Sequence, residues 1–155
     1  MDEQVHATPD PYAPPSAPIV ESQDAAGLPL FKIAGIGIAT FFGSVLAGGL
    51  LMAMNFHRMG RPERVWPTLG LALLGLLATG ALGAVLPEQF PGVLITVPTL
   101  VAVTVLAGKT QGEAIARRER AGLPMRSNWL ALGISLLVLL PITALGIGLL
   151  LFAGA

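Results

Sequence analysis

The chain of 155 residues has no cysteine. Disulfides, thiolate metal sites and thiol nucleophiles are therefore excluded. It has two histidines, His6 and His57, too few for a multi-histidine metal centre. Charge is scarce as well. Only 12% of residues are Asp, Glu, Lys or Arg, about half the usual share of a soluble domain, which is roughly 25%. The nine bases balance the nine acids. No basic excess is available for a nucleic-acid partner, and none is expected. The catalytic patterns G-x-S-x-G, H-E-x-x-H and G-x-x-x-x-G-K-[ST] are all missing. Glu63 and Glu88 fall in separate loops, so they do not form an acid–base pair. We expect no catalytic residue, no metal site and no cofactor.

What is present is apolar, at 54% of residues. Residues 1–29 stand apart from this. They hold Asp2, Glu3, Asp10, Glu21 and Asp24, no lysine or arginine, and six of the thirteen prolines. Proline removes backbone donors and interrupts helices and ladders, and too little apolar surface remains to offset ordering entropy. The expectation is a disordered, acidic, proline-rich tail. A secretory signal needs an early basic stretch followed by an apolar one. Neither is there, so the first apolar run reads as a retained anchor.

Four apolar runs follow, at about 33–54, 66–86, 90–108 and 129–155. A helix needs about 20 residues to cross a hydrocarbon core of roughly 30 Å. The first run has 22 uncharged residues. The third is rich in Val and Thr and contains Pro98, and the fourth contains Pro141. A lipid-exposed strand would leave backbone groups unpaired, so helices are expected for all four. The expected fold class is an all-α membrane protein, with residues 1–29 as tail and 30–155 as a four-helix transmembrane domain.

Eight of the nine basic residues fall in two connections. The first carries Arg58, Arg61 and Arg64, and the third carries Lys109, Arg117, Arg118, Arg120 and Arg126. In a four-span chain these connections share a side, and the positive-inside rule makes that side cytoplasmic. Both termini are then expected outside. Lys32 is the one dissenter, and beside Phe31 at a helix mouth it can snorkel to the headgroup level.

Small residues recur at helical spacing. Gly35, Ala39, Gly43 and Ala47 lie four apart, as do Gly75, Thr79 and Gly83. Close packing of small residues joins helices in lipid, so both series are expected to be helix-packing stripes. The hydroxyls within the runs are Thr40, Ser44, Thr79, Thr96, Thr99, Thr104, Ser135 and Thr143. Their plain role is a bond back to a carbonyl of their own helix.

Two polar stretches remain. Asn55, His57, Arg58, Arg61 and Arg64 form one constellation. Asn55 reads there as a helix-end cap. In the other, Thr110 and Glu113 match a capping box, Glu113 and Arg117 an i,i+4 pair, and Gly122 a helix C′ position. The last stretch reads as a short helix, separate from the third run or continuous with it. His57, Arg58, Arg61, Arg64, Arg117, Arg118 and Arg120 are the expected contacts for anionic lipid or for a partner. A topology determinant without a ligand would have the same composition.

The stretches ATFFGSVLAGGLLMAMNFHRMGR and TQGEAIARRERAGLPMRSNW resemble small bacterial multi-spanning inner-membrane proteins of unknown function. The resemblance implies an inner-membrane location and brings no catalytic residues. The expected role is an interaction, assembly or accessory subunit, partnered by lipids and by another membrane protein or its own copies. The alternative is a small oligomeric channel or transporter component.

Overall fold

The computed structural model describes residues 27–87 and 89–153. The expected tail thus lies outside the described residues up to residue 26, as does Glu88. The described residues fold into five α-helices: α1 (Ile33–Gly43), α2 (Val45–Arg58), α3 (Val65–Val85), α4 (Val93–Arg120) and α5 (Asn128–Ala153). A 3₁₀ turn, Pro62–Arg64, leads into α3. Three helices are long and apolar enough to cross a membrane: Pro62–Val85, Val93–Arg120 and Asn128–Leu149.

The first apolar run is not a single span. It breaks at Ser44, whose backbone adopts φ 96° and ψ 170°. The chain then turns back on itself. Phe31, just before α1, pairs with Asn55, near the end of α2. A continuous helix would separate those two residues by about 36 Å at 1.5 Å per residue. Instead α1 and α2 form a helical hairpin, with both open ends at one end of the molecule and Ser44 at the tip. The 11 residues of α1 reach about 16 Å, half the length of a spanning helix.

Ser44 serves both helices. Its N–H donates to the Thr40 carbonyl, and its own carbonyl accepts from the Gly48 N–H. The turn brings Gly48 against Thr40 and Gly43 against Ala47, approaches that only small residues permit. A residue other than glycine at this φ and ψ stores strain of about 1–3 kcal/mol. The Ser44 Oγ is also buried without a hydrogen-bond partner among the described residues. Ser44→Gly relieves both costs against a smaller loss of chain entropy, about 0.5–1 kcal/mol. We predict a melting temperature above wild type in the same detergent; a lower one would show that Ser44 makes a contact worth more than its strain.

The hairpin is the core. Phe31, Ile36, Ala39, Ala47, Leu51 and Met52 are buried together with Val103 of α4 and Ala131 of α5. The long helices pack on the hairpin, and none packs extensively on another. On one flank α5 runs parallel to α1, with Gly35 near Ala131 and Gly43 near Ser135. On the other, α3 runs antiparallel to α2, with Ala72 against Gly49 and Val45 against Gly75. Contacts to α4 come from Gly37, against Thr104, and Gly48, against Val103.

These contacts place the residues of both stripes. Gly35 and Gly43 face α5, Ala39 is buried in the core, and Ala47 belongs to α2 beyond the break. On α3, Gly75 meets Val45, Thr79 bonds to its own helix, and a Cβ on Gly83 would meet nothing within 4 Å. The hydroxyl expectation holds for Thr40, Thr79, Thr99, Thr104 and Ser135, which each donate to a carbonyl of their own helix, while Thr96 donates to the carbonyl of Gly92, the N-cap of α4.

The third run joins the polar segment after it in one helix, α4, which passes through Pro98. Thr110 therefore lies inside a helix, donating to the Leu106 carbonyl, and no capping box starts there. Helix α4 ends as expected: Gly122 stands at C′ with φ 66°, and Leu123 N–H donates to the Arg118 carbonyl. Gly60 ends α2 in the same way, with φ 69°.

Candidate functional site: the basic end of the hairpin

Both open ends of the hairpin meet the α4–α5 connection. The segment Gly27–Lys32 runs beside that connection, and Phe31 forms a parallel bridge with Arg126. The Arg126 N–H donates to the Leu30 carbonyl at 2.8 Å. Lys32 Nζ stands 2.9 Å from Glu119 Oε1. Lys32 is thus no exception. It joins the other eight basic residues at one end of the molecule. The expected placement of both termini falls outside the described residues, which begin at Gly27 and end at Ala153. Three long helices and one hairpin put Gly27 and the end of α5 at opposite ends.

Two layers hold this end together. The inner layer is amide chemistry. Asn55 is fully buried. Its Oδ1 accepts from the Phe31 N–H at 2.8 Å, and its Nδ2 donates to the Phe31 carbonyl and to Gln111 Oε1, both at 3.0 Å. Gln111 Nε2 then donates to the Met52 carbonyl at 2.9 Å. Phe31 precedes α1, so its N–H and carbonyl lack helical partners. Asn55 supplies both as a strand neighbour would. It is a clasp across the hairpin, not the helix-end cap expected.

The outer layer is arginine. Arg58 Nη1 donates to the Pro29 carbonyl at 2.5 Å, and Arg118 Nη2 to the Gly27 carbonyl at 2.7 Å. The Arg58 and Arg126 guanidiniums stand 5.8 and 5.6 Å from the centroid of the buried Phe31 ring. Burial, and then the nearby Arg126 charge, lower the Arg58 pKa from its ordinary value; a guanidinium keeps its proton regardless. Residues 27–29 are therefore anchored to the helical body.

The expected basic contacts divide into groups. Arg58, Arg61, Arg117 and Arg118 line one cleft of about 650 Å³, closed by Gly27, Leu30 and Leu123. Arg117 also lies 4.0 Å from Glu113, an exposed pair worth little. Arg64 lies elsewhere, 5.9 Å from the Phe56 ring centroid, in a separate groove between α2, α3 and α4. His57 and Arg120 are exposed and line neither. Sequence reasoning missed Arg126 and Gln111. The signal for Gln111 was faint: an uncharged amide four residues from Ala107, on the buried face of α4. Among the described residues, no group of three or more His, Cys, Asp or Glu is placed to hold a metal ion.

Comparison of the chain with protein-family models, with curated proteins and with solved structures returned no match.

Proposed function

We propose that this is a multi-pass protein of a bacterial inner membrane that acts as an interaction, assembly or accessory subunit without catalysis. The observation that carries the reading is how the long helices are used. Each packs on the short hairpin, and beyond its tip they extend without packing on one another. Leu74 and Leu77 on α3, Leu94 and Val97 on α4, and Leu137 and Leu145 on α5 are all exposed. The hairpin fills half the bundle, and the other half offers three apolar helix walls to the helices of a partner. The polar groups at the heart of the fold are consumed in holding it: Asn55 and Gln111 spend their amides on each other and on backbone.

The positive-inside rule orients the protein. All nine basic residues lie at the hairpin's open end, which makes that end cytoplasmic. Gly27 then faces the cytoplasm and the end of α5 the opposite side, with the hairpin re-entering from the cytoplasmic face. The break at Ser44 favours one second reading, an oligomeric channel or transporter component. Broken helices at the midplane build substrate sites in such proteins.

The native chain has no cysteine, so single cysteines report topology cleanly. A membrane-impermeant maleimide is expected to label Leu28→Cys and Arg120→Cys from the cytoplasmic side and Gln89→Cys from the other. Labelling of Leu28→Cys together with Gln89→Cys would restore four spans. Purification in mild detergent followed by mass spectrometry tests the role. Foreign subunits in fixed stoichiometry support the accessory reading. A pure homo-oligomer that passes ions or solutes in vesicles supports the second.

A further inference from the structure

The groove that holds Arg64 has the form of a lipid site. Its floor is α2, from Val45 at the hairpin tip to Phe56 at the basic end. Its walls are Leu71 and Ala72 of α3, and Val103 and Leu106 of α4. The volume is about 350 Å³ and the lining is mostly apolar. Eleven helical steps separate Val45 from Phe56, about 16 Å of rise. That is the depth of one leaflet, half of a hydrocarbon core of roughly 30 Å. Polar groups gather at one end alone. Arg64 stands at the start of α3, with Thr68 and Thr110 beside it.

Those hydroxyls are already engaged, Thr68 with the Arg64 carbonyl and Thr110 with the Leu106 carbonyl. The guanidinium is not held in that way. Arg64 is an exposed residue with no carboxylate within ion-pair distance among the described residues, and its guanidinium stands 5.9 Å from the centroid of the Phe56 ring. An apolar slot one leaflet deep, with a cation at headgroup level, is complementary to one acyl chain with an anionic head. We propose that this groove binds an anionic phospholipid of the cytoplasmic leaflet, the acyl chain lying along α2 between α3 and α4 and the phosphate on Arg64. The proposal rests on the membrane orientation given above. It also gives the hairpin a filler on its α3–α4 flank, where Gly49 and Ala72 supply little side chain.

The test uses the full chain, stripped of lipid in mild detergent and titrated with phosphatidylglycerol or phosphatidylcholine. Bound lipid is counted by native mass spectrometry. Wild type is expected to retain one phosphatidylglycerol with a preference over phosphatidylcholine. A basic side chain at a membrane surface contributes about 1 kcal/mol, so Arg64→Gln should lose about fivefold of that preference. Leu106→Trp should fill the slot and reduce occupancy by both lipids. Arg120→Gln removes an equal charge from the same end, outside the groove, and should leave the preference unchanged. Both altered groove positions are exposed, so both variants are expected to fold. The idea is overturned if Arg64→Gln keeps the wild-type preference, if Arg120→Gln loses as much, or if Leu106→Trp binds lipid normally. Failure of the membrane reading looks different: the protein would not sediment with membranes, whatever the variant.

Discussion

Gly43→Leu is expected to melt well below wild type in detergent, and Gly43→Ala to lose most of the same stability. A Cβ on Gly43 would stand 2.6 Å from both the Cβ and the backbone oxygen of Ser135, and 2.8 Å from the Cβ of Ala47. No real Cβ tolerates such distances, so the first methyl group already forces α1, α2 and α5 apart. Backbone on one side and the tip of the hairpin on the other leave nothing flexible to yield. Overpacking of this kind typically costs about 1–3 kcal/mol, occasionally more. Gly83→Leu is the control. Glycine is intrinsically poor in helices by about 1 kcal/mol, and a Cβ at Gly83 meets open space. That variant should melt with wild type or slightly above it. If Gly43→Ala and Gly83→Leu both behave as wild type, α1 does not approach α5 as described, and the hairpin packing fails with it.

That pair of glycines also shows what spacing alone cannot tell. Gly43 and Gly83 sit in equally regular four-residue series, yet one is jammed against a neighbouring backbone and the other is open. Periodicity states which residues share a face and never what the face meets. The three long helices were legible because length and apolarity are local properties: α3 and α5 begin within a residue of their expected starts. The first run defeated the same criteria. An apolar stretch of 22 residues satisfies a span and a hairpin equally, because both bury it. What separates them is a turn at Ser44, and serine at φ 96° is not a residue that announces such a turn. The clues were indirect. Lys32 is misplaced for four spans and well placed for a hairpin. Asn55 is an amide at the end of an apolar run, where a buried clasp and a helix cap have the same sequence. The arginine cleft was legible as a set of charges and illegible as a division. The separation of Arg64 from Arg58 and Arg61 depends on where α3 starts relative to α4, a tertiary fact.

The largest loss is expected at Asn55. Asn55→Leu keeps a similar volume and removes every hydrogen bond of the clasp. The Phe31 N–H and carbonyl lose their partner, and so does the Gln111 oxygen. Phe31 is fully buried and Gln111 nearly so, so water cannot easily replace what is lost. A buried polar group left unsatisfied costs about 1–3 kcal/mol, and three are created at once. About 3 kcal/mol is therefore a lower expectation, a large part of the 5–15 kcal/mol that stabilises a typical domain. Gln111→Leu should cost less, because Asn55 Nδ2 still has the Phe31 carbonyl. The double variant should cost less than the two single losses added, since each single change orphans a group that the double change removes. Coupling between touching residues runs to about 0.5–3 kcal/mol, near the low end within membrane proteins. The measurement is melting in one detergent for wild type, both single variants and the double. Additive losses would show that Asn55 and Gln111 do not meet. A wild-type melting temperature for Asn55→Leu would overturn the clasp itself. The two ends of the first apolar run would then have no reason to lie side by side, and a straight transmembrane helix through Ser44 would become the better description.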